Sequence, residues 1–265
     1  MKSHRLFLIT LVALLAFAGN SLLCRLALKE TAVDPATFTA IRIASGAATL
    51  WLIVRLRDGA QRLAGSWGSA LALFAYAAAF SFSYLTLTAA TGALLLFGAV
   101  QATMIGVGRW RGDRLRGWQT VGFLLALAGL VGLLLPGLEA PPLHGSLLML
   151  AAGVAWGVYS LRARGSGDPL RVTAGNFVRA IALAAALSLA TLPWAAIDRA
   201  GAAYAVASGA LASGVGYAVW YTALAALGGI VFLDEPVTLR LFVASAAVLG
   251  GIALVVLDPG RKTAS

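Results

Sequence analysis

This chain carries few charged residues. Charged residues make up 11% of its 265 residues, whereas an ordinary soluble domain carries about 25%. A soluble protein needs that charge to keep its surface wet, so the composition excludes a water-soluble globule. Hydrophobic residues make up 60% of the chain and the mean hydropathy is +0.89. We therefore expect most of the folded surface to contact lipid.

Cysteine and histidine are nearly absent, which excludes several kinds of site. Cys24 has no second cysteine for an intramolecular disulfide, and His4 and His144 cannot complete a cysteine and histidine metal cluster. No hydrolase motif surrounds His144, and the glycines of 106–112 lack the spacing of a dinucleotide fingerprint. We expect no metal, no cofactor and no enzymatic activity. A membrane-embedded enzyme is the weakest hypothesis, because no acid, base and nucleophile are clustered.

Apolar stretches long enough to cross a bilayer follow one another along the chain. A hydrocarbon core of about 30 Å takes roughly 20 helical residues at 1.5 Å each. The first stretch contains Ala16-Phe17-Ala18 and also fits a cleavable signal peptide, but its apolar run continues further and we interpret it as a span. The sequence thus predicts an all-α, polytopic integral membrane helix bundle. The predicted spans are 6–26, 36–54, 67–87, 89–108, 117–136, 144–161, 173–195, 201–224 and 237–257.

The positive residues are biased towards alternate loops. In a soluble domain a net charge of +10 would suggest nucleic acid, but here most Lys and Arg residues fall on the N-terminal side of the membrane. The exceptions in the opposite loops are Arg25, Lys29, Arg199 and Arg240. By the positive-inside rule the bias predicts a multi-pass protein of a bacterial-type inner membrane with a cytoplasmic N-terminus.

Short matches at one constant offset indicate two homologous halves. Residues 38–42 run parallel to 175–179, and 84–87 to 221–224. If each half has five spans, an odd number, the second half enters the membrane from the other side, which makes an inverted repeat. The predicted halves are residues 1–137, with spans one to five, and 138–265, with spans six to ten.

The second half is shorter than the first by about 15 residues, which is most of one span. Residues 222–233 would give about 18 Å of helix against a core of about 30 Å, so this segment cannot cross alone. The ninth span of a ten-span pattern is therefore predicted to be truncated, which leaves nine full spans.

Five stretches resemble the EamA-like family of the drug/metabolite transporter superfamily. The sharpest is Leu-Gly-Gly-Ile-Val-Phe-Leu-Asp-Glu-Pro at 227–236, which is similar to the turn before that family's final span. The resemblance implies ten spans in two inverted halves, both termini in the cytoplasm, and a central cavity through which small organic solutes move, usually outward. This chain departs from the pattern at the ninth span. The other matching stretches are 34–42, 91–98, 111–115 and 213–218.

Polar and aromatic side chains inside the spans are the candidates to line such a cavity. An unsatisfied polar group in hydrocarbon costs several kcal/mol and must face protein or water. Interfacial belts and helix packing are the alternative role for these residues. The candidates are Asn20, Gln101, Trp156, Tyr159, Tyr217 and Trp220.

Two arginines, Arg42 and Arg179, occupy equivalent repeat positions within spans two and seven. A membrane-embedded guanidinium could meet an anionic substrate, but snorkelling to the interface or a structural contact is the simpler interpretation. All ten acidic residues fall in loops or at span ends. No proton-coupling carboxylate is therefore predicted, and uniport and exchange both stay open.

Small residues stand four apart in the eighth span, Gly209 with Ser213 and Ala212 with Gly216. This spacing predicts a helix face that another helix approaches closely.

The sequence as a whole predicts a membrane transporter of small organic solutes, a metabolite or drug carrier working in efflux. The alternative is a truncated, transport-inactive member of the same family, because the segment 225–233 is so short. Expected partners are a small-molecule substrate and the lipid bilayer, without nucleic acid, and homodimer formation stays open.

Overall fold

A computed structural model of the chain describes residues 3–59, 62–112, 141–163 and 167–221, which form helices and no strand. The predicted spans 117–136 and 237–257 and the segment 225–233 lie outside the described residues. The helices are α1 (Ser3–Glu30), α2 (Pro35–Asp58), α3 (Trp67–Ser83), α4 (Ala89–Trp110), α5 (Leu143–Ala163), α6 (Pro169–Ala190) and α7 (Arg199–Tyr221). Helices α5, α6 and α7 correspond to the sixth, seventh and eighth predicted spans.

The helices have the length and composition that a bilayer requires. Five of them, α2, α4, α5, α6 and α7, are long and apolar enough to cross a membrane. Helix α1 has 28 residues, and α3 is a shorter apolar helix of 17. For the described part of the chain, the predicted all-helical class with membrane-length helices is confirmed.

Asp-Pro pairs set the starts of α2 and α6. The carboxylates of Asp34 and Asp168 accept hydrogen bonds from first-turn backbone N–H groups at 2.8 to 3.0 Å, and the proline that follows each lacks an N–H where none is needed. Because Asp168 caps α6, the helix starts at Pro169, before the predicted start at 173. It ends at Ala190, before the predicted end at 195, and a 3-10 turn at Leu192–Trp194 follows. Both predicted boundaries of this span were therefore wrong.

Helix α3 also ends before its predicted limit in 67–87. The chain turns after Ser83, and the turn is held because Arg25 of α1 donates from Nη1 to the Tyr84 carbonyl oxygen at 2.8 Å. The Tyr84 ring then lies directly against Gly92 of α4, where an added Cβ would overlap it. Hydropathy could not locate this stop, because a partner from another helix makes it.

Helices α2 and α6 pack against each other, and the remaining helices surround them. Helix α3 packs on α5, α6 and α2; α7 packs on α1 and α2; α4 packs on α5 and α1. The close approach predicted from Gly209 occurs against α2, where an added Cβ would overlap the Arg42 carbonyl oxygen and the Ser45 hydroxyl. On the other side of α7, a Cβ at Gly216 would lie 3.2 Å from Ala16 of α1.

The two ends of the bundle differ in charge. At one end, the C-termini of α2, α4 and α5 meet the N-termini of α3 and α6, and this basic end carries seven described arginines. At the opposite end the described cations are Arg25, Lys29 and Arg199. The charge bias that the sequence predicts between alternate loops is thus a bias between the ends of the folded bundle. The arginines of the basic end are Arg55, Arg57, Arg62, Arg109, Arg111, Arg162 and Arg171.

Helix α7 is not α-helical throughout. Residues Ser208–Val215 form a π-helix between two α-helical pieces. Such segments are rare and often occur at functional sites. This one lies where α7 touches both α1 and α2.

Candidate functional site

Aromatic side chains from both predicted halves meet inside the bundle. Phe17 of α1 makes edge contacts with Trp156, Tyr217 and Trp220 at centroid distances of 5.9 to 6.0 Å. Tyr76 of α3 stacks on Trp156 at 5.4 Å. These five residues, the central aromatic cluster, come from four helices, so the cluster joins α1 and α3 to α5 and α7.

A chain of polar contacts runs beside the central aromatic cluster. The Ser208 hydroxyl of the π segment donates to Asn20 Oδ1 at 2.6 Å, and Asn20 Nδ2 donates to Tyr76 Oη at 3.5 Å. Asn20 is 6% exposed. Its amide is therefore held by α7 and α3 together, which fixes a polar group where lipid cannot reach it.

A second polar group joins the helices of the second predicted half. Tyr159 Oη donates to Thr173 Oγ1 at 3.2 Å, and Thr173 Oγ1 lies 2.8 Å from Tyr221 Oη. Tyr221 in turn stacks on Tyr217, with centroids 5.9 Å apart. This group is continuous with the central aromatic cluster through that ring pair.

Arg42 of α2 lies next to the central aromatic cluster, at Tyr76, and is 2% exposed. Its guanidinium carbon is 5.3 Å from the ring centroid of Tyr76 and 4.9 Å from that of Phe80. Its Nη1 has no hydrogen-bond partner, and within the described ranges no carboxylate forms a salt bridge with it. The side chain points into the bundle, so it does not snorkel to an interface.

Arg179, at the position that the predicted repeat pairs with Arg42, has a different environment. Its Nη1 donates to the carbonyl oxygens of Ala64 and Gly175 at 2.9 and 2.8 Å. The first of these acceptors lies in the α2–α3 loop at the basic end. Arg179 therefore fixes a loop to α6, which is the structural role considered for it.

The predicted cavity residues separate into two sets. Asn20, Trp156, Tyr217 and Trp220 are brought together, and Tyr159 is connected to them through Thr173 and Tyr221. Gln101 is not: it lies on the exposed side of α4. The contact that α4 does make with the cluster is through Phe97, 5.8 Å from Trp156.

Four residues of the site were not predicted from the sequence, namely Phe17, Tyr76, Thr173 and Ser208. Phe17 was considered only within a cleavage-site pattern. Tyr76 carries an aromatic hydroxyl inside an apolar stretch, which is the same signal that selected Tyr159, and it could have been found. Ser208 gave no such signal, because serine is common in helix packing faces.

An apolar groove lies on the flank of the bundle between α1 and α7. Its volume is about 320 Å³, and it opens outward beside Leu211, which is 62% exposed. The groove is lined by residues of α1 and α7. Its lining residues are Ala16, Gly19, Leu23, Leu211, Ala212, Val215, Gly216 and Val219.

The acidic residues of the described ranges stand at helix termini, away from the central aromatic cluster. Among those ranges no group of His, Cys, Asp and Glu side chains is placed to hold a metal ion. Asp34 joins two loops at the end opposite the basic one, because its Oδ2 accepts from the Ala196 N–H at 3.0 Å. Burial raises the pKa of this carboxyl, but hydrogen bonds from Thr37, Ala196 and Ala36 outweigh that effect and hold the pKa below its ordinary value.

Comparison with known proteins places the chain among relatives. No family model matches the sequence. The chain is 56% identical to "Uncharacterized protein PA1977" of Pseudomonas aeruginosa over 274 residues, which covers 96% of each chain. The chain belongs to the same family as that protein. A solved structure described as "Crystal structure of protein" aligns with a TM-score of 0.58 over 96% of this chain and 99% of the other, at 22% identity; at that identity the likeness concerns the fold alone.

Proposed function

We propose that this chain is an EamA-like carrier of the drug/metabolite transporter superfamily that moves small organic solutes across a bacterial-type inner membrane. The observation that carries the proposal is the central aromatic cluster with Asn20. Ring faces and a fixed amide, assembled from both predicted halves, are the combination that orients a small amphipathic solute.

The pairing of helices supports two inverted halves. In the predicted repeat, α1 is equivalent to α5, α2 to α6 and α3 to α7. Under this equivalence the α3–α5 contact corresponds to the α7–α1 contact, and the α3–α6 contact corresponds to the α7–α2 contact. The α2–α6 contact joins two equivalent helices, so the repeat relates it to itself. Carriers built this way place the substrate at the interface between the repeats.

The fixed charges support the orientation and leave the coupling open. The basic end fits the cytoplasmic side by the positive-inside rule. The acidic residues of the described ranges lie at helix termini, so none of them is placed for proton coupling. Uniport and exchange both stay open, and the proposed direction is export.

Flux into and out of proteoliposomes tests the activity directly. The assay uses the full chain and four labelled solutes with the same ring and different charge: phenylalanine, phenylacetate, phenethylamine and phenylacetamide. We expect saturable flux of at least one, and a loss of about tenfold in Asn20→Ala, because a buried hydrogen-bonding group worth about 1.4 kcal/mol corresponds to that factor. Gln101→Ala is the matched control and should be unchanged, since that side chain is exposed.

The second candidate is the transport-inactive family member, favoured by the short segment 225–233. Saturable flux of none of the four solutes through a well-folded protein would support it. A paired periplasmic and cytoplasmic reporter fused after Ser265, with controls after Gly59 and Ala140, tests the number of crossings. A cytoplasmic C-terminus agrees with an even topology, and an external one with nine spans.

A further inference from the structure

The guanidinium of Arg42 is a buried charge with an unpaired nitrogen. It is 2% exposed, its Nη1 has no hydrogen-bond partner, and the rings of Tyr76 and Phe80 lie against it. The other arginine within a span, Arg179, donates from its Nη1 to two carbonyl oxygens. The predicted repeat makes these two positions equivalent, yet the Nη1 of Arg179 has two acceptors and that of Arg42 has none.

A guanidinium is a permanent positive charge in proteins. Burial of such a charge is costly unless it is paired. The faces of Tyr76 and Phe80 attract the cation through their quadrupoles, but a ring face does not accept the in-plane N–H of Nη1 as an anion would. The planar fork of a guanidinium is matched by carboxylate, sulfonate and phosphate oxygens.

We propose that Arg42 is the recognition residue of an anion site, and that the solutes bound by this protein are small aromatic organic anions. The inference rests on the proposed function and names its substrate class. The anionic group pairs with Nη1, and the apolar part of the solute contacts the adjacent rings of the central aromatic cluster. Tyr76 joins the two parts, because its ring contacts both the Arg42 guanidinium and Trp156.

The site as seen is closed, because the rings of Tyr76 and Phe80 cover the guanidinium. A carrier exposes its binding site to one side of the membrane at a time, so a closed arrangement suits a solute-free centre. The π segment of α7 lies across the same part of α2, since Gly209 touches the Arg42 carbonyl oxygen. Entry of a solute requires α2, α3 and α7 to separate here.

The test is equilibrium binding to the purified full-length protein in detergent, which does not depend on transport. The probes are phenylacetate and benzenesulfonate, each paired with its neutral counterpart, phenylacetamide and benzenesulfonamide. We expect saturable binding of at least one anion and binding of its neutral counterpart at least tenfold weaker. Arg42→Gln should weaken anion binding at least tenfold, whereas Arg179→Gln should leave it unchanged.

If Arg42→Gln fails to fold, a variant that keeps the positive charge can still test the inference. Arg42→Lys retains a cation but loses the planar fork, so we expect weakened anion binding with the preference over the neutral counterpart preserved. Binding of neither anion by the wild-type protein would overturn the inference. Equal binding of anion and neutral counterpart, or unchanged binding in Arg42→Lys, would overturn it as well.

The two proposals fail in different ways. Saturable flux of phenylacetamide that is insensitive to Arg42→Gln would refute the anion site and leave the carrier intact. Anion binding that depends on Arg42, without flux of any solute, would support the site and argue against transport.

Discussion

Replacement of Gly209 by alanine tests how closely α7 must approach α2. An added Cβ at this position overlaps the Arg42 carbonyl oxygen and the Ser45 hydroxyl. The first of these is backbone and cannot move without displacing α2. Overpacking of this kind typically costs about 1–3 kcal/mol. In a membrane bundle, where small residues at crossings supply much of the packing energy, the cost falls directly on helix association.

The matched control is Gly106→Ala in α4. No described atom lies within 4 Å of a Cβ at Gly106. Both variants gain the same helix propensity, about 0.5–1 kcal/mol per Gly→Ala change. The propensity cancels in the comparison, so the difference in stability between the two variants isolates the overpacking cost of about 1–3 kcal/mol.

The measurement is equilibrium unfolding of the full chain in mixed dodecylmaltoside and sodium dodecyl sulfate micelles, followed by tryptophan fluorescence. We expect Gly209→Ala to unfold at a lower fraction of sodium dodecyl sulfate than Gly106→Ala. If the two variants unfold together, the close approach of α7 to α2 is not what holds this crossing, and the account of the α2–α7 contact is refuted.

Three further predictions concern polar contacts and use the same unfolding measurement. Asp34→Asn should be less stable than wild type at neutral pH, and the difference should shrink as the pH falls below the unfolded value of 3.8 and disappear below the lower folded-state pKa, because the carboxyl stabilises only while it is ionised; a difference that does not shrink on acidification would refute the role of the charge. Ser208→Ala removes the donor of a buried 2.6 Å bond to Asn20 and should cost about 1 kcal/mol; no loss would mean that the amide finds another donor. Arg179→Ala should cost about 1–3 kcal/mol, whereas Arg57→Ala, whose side chain is 43% exposed in its salt bridges, should cost less than about 1 kcal/mol; equal costs would contradict the role of Arg179 in holding the α2–α3 loop.

Apolar stretches located three of the helix starts closely, although the capped start of α6 was missed. The predicted starts at 36, 67 and 89 fall within one residue of the observed starts of α2, α3 and α4. Each of these helices begins after a side-chain cap, a signal carried by neighbouring residues. The end of α3 was not predictable in this way, because Arg25 on another helix holds the turn that stops it.

In the candidate site, too, single residues could be found from the sequence, but their partners on other helices could not. Embedded polar residues were recognisable one at a time, and most of them converge. The contrast between Arg42 and Arg179 was not predictable, because the predicted repeat makes their positions equivalent while their partners differ. The Ala64 carbonyl and the Phe80 ring reach them from other helices and loops. The exposure of Gln101 was not predictable either, because hydropathy does not say which face of α4 turns inward.

The π-helical segment of α7 has a mechanical consequence. The piece before it begins at Arg199, after a capped end, and the segment itself starts at Ser208, which is bound to Asn20. The piece after it carries Tyr217 and Trp220. An α-helix turns about 100° per residue, so a one-residue change in hydrogen-bond register within Ser208–Val215 would swing both rings around the helix axis together. Such a change would move Tyr217 and Trp220 relative to Ser208, which stays bound to Asn20.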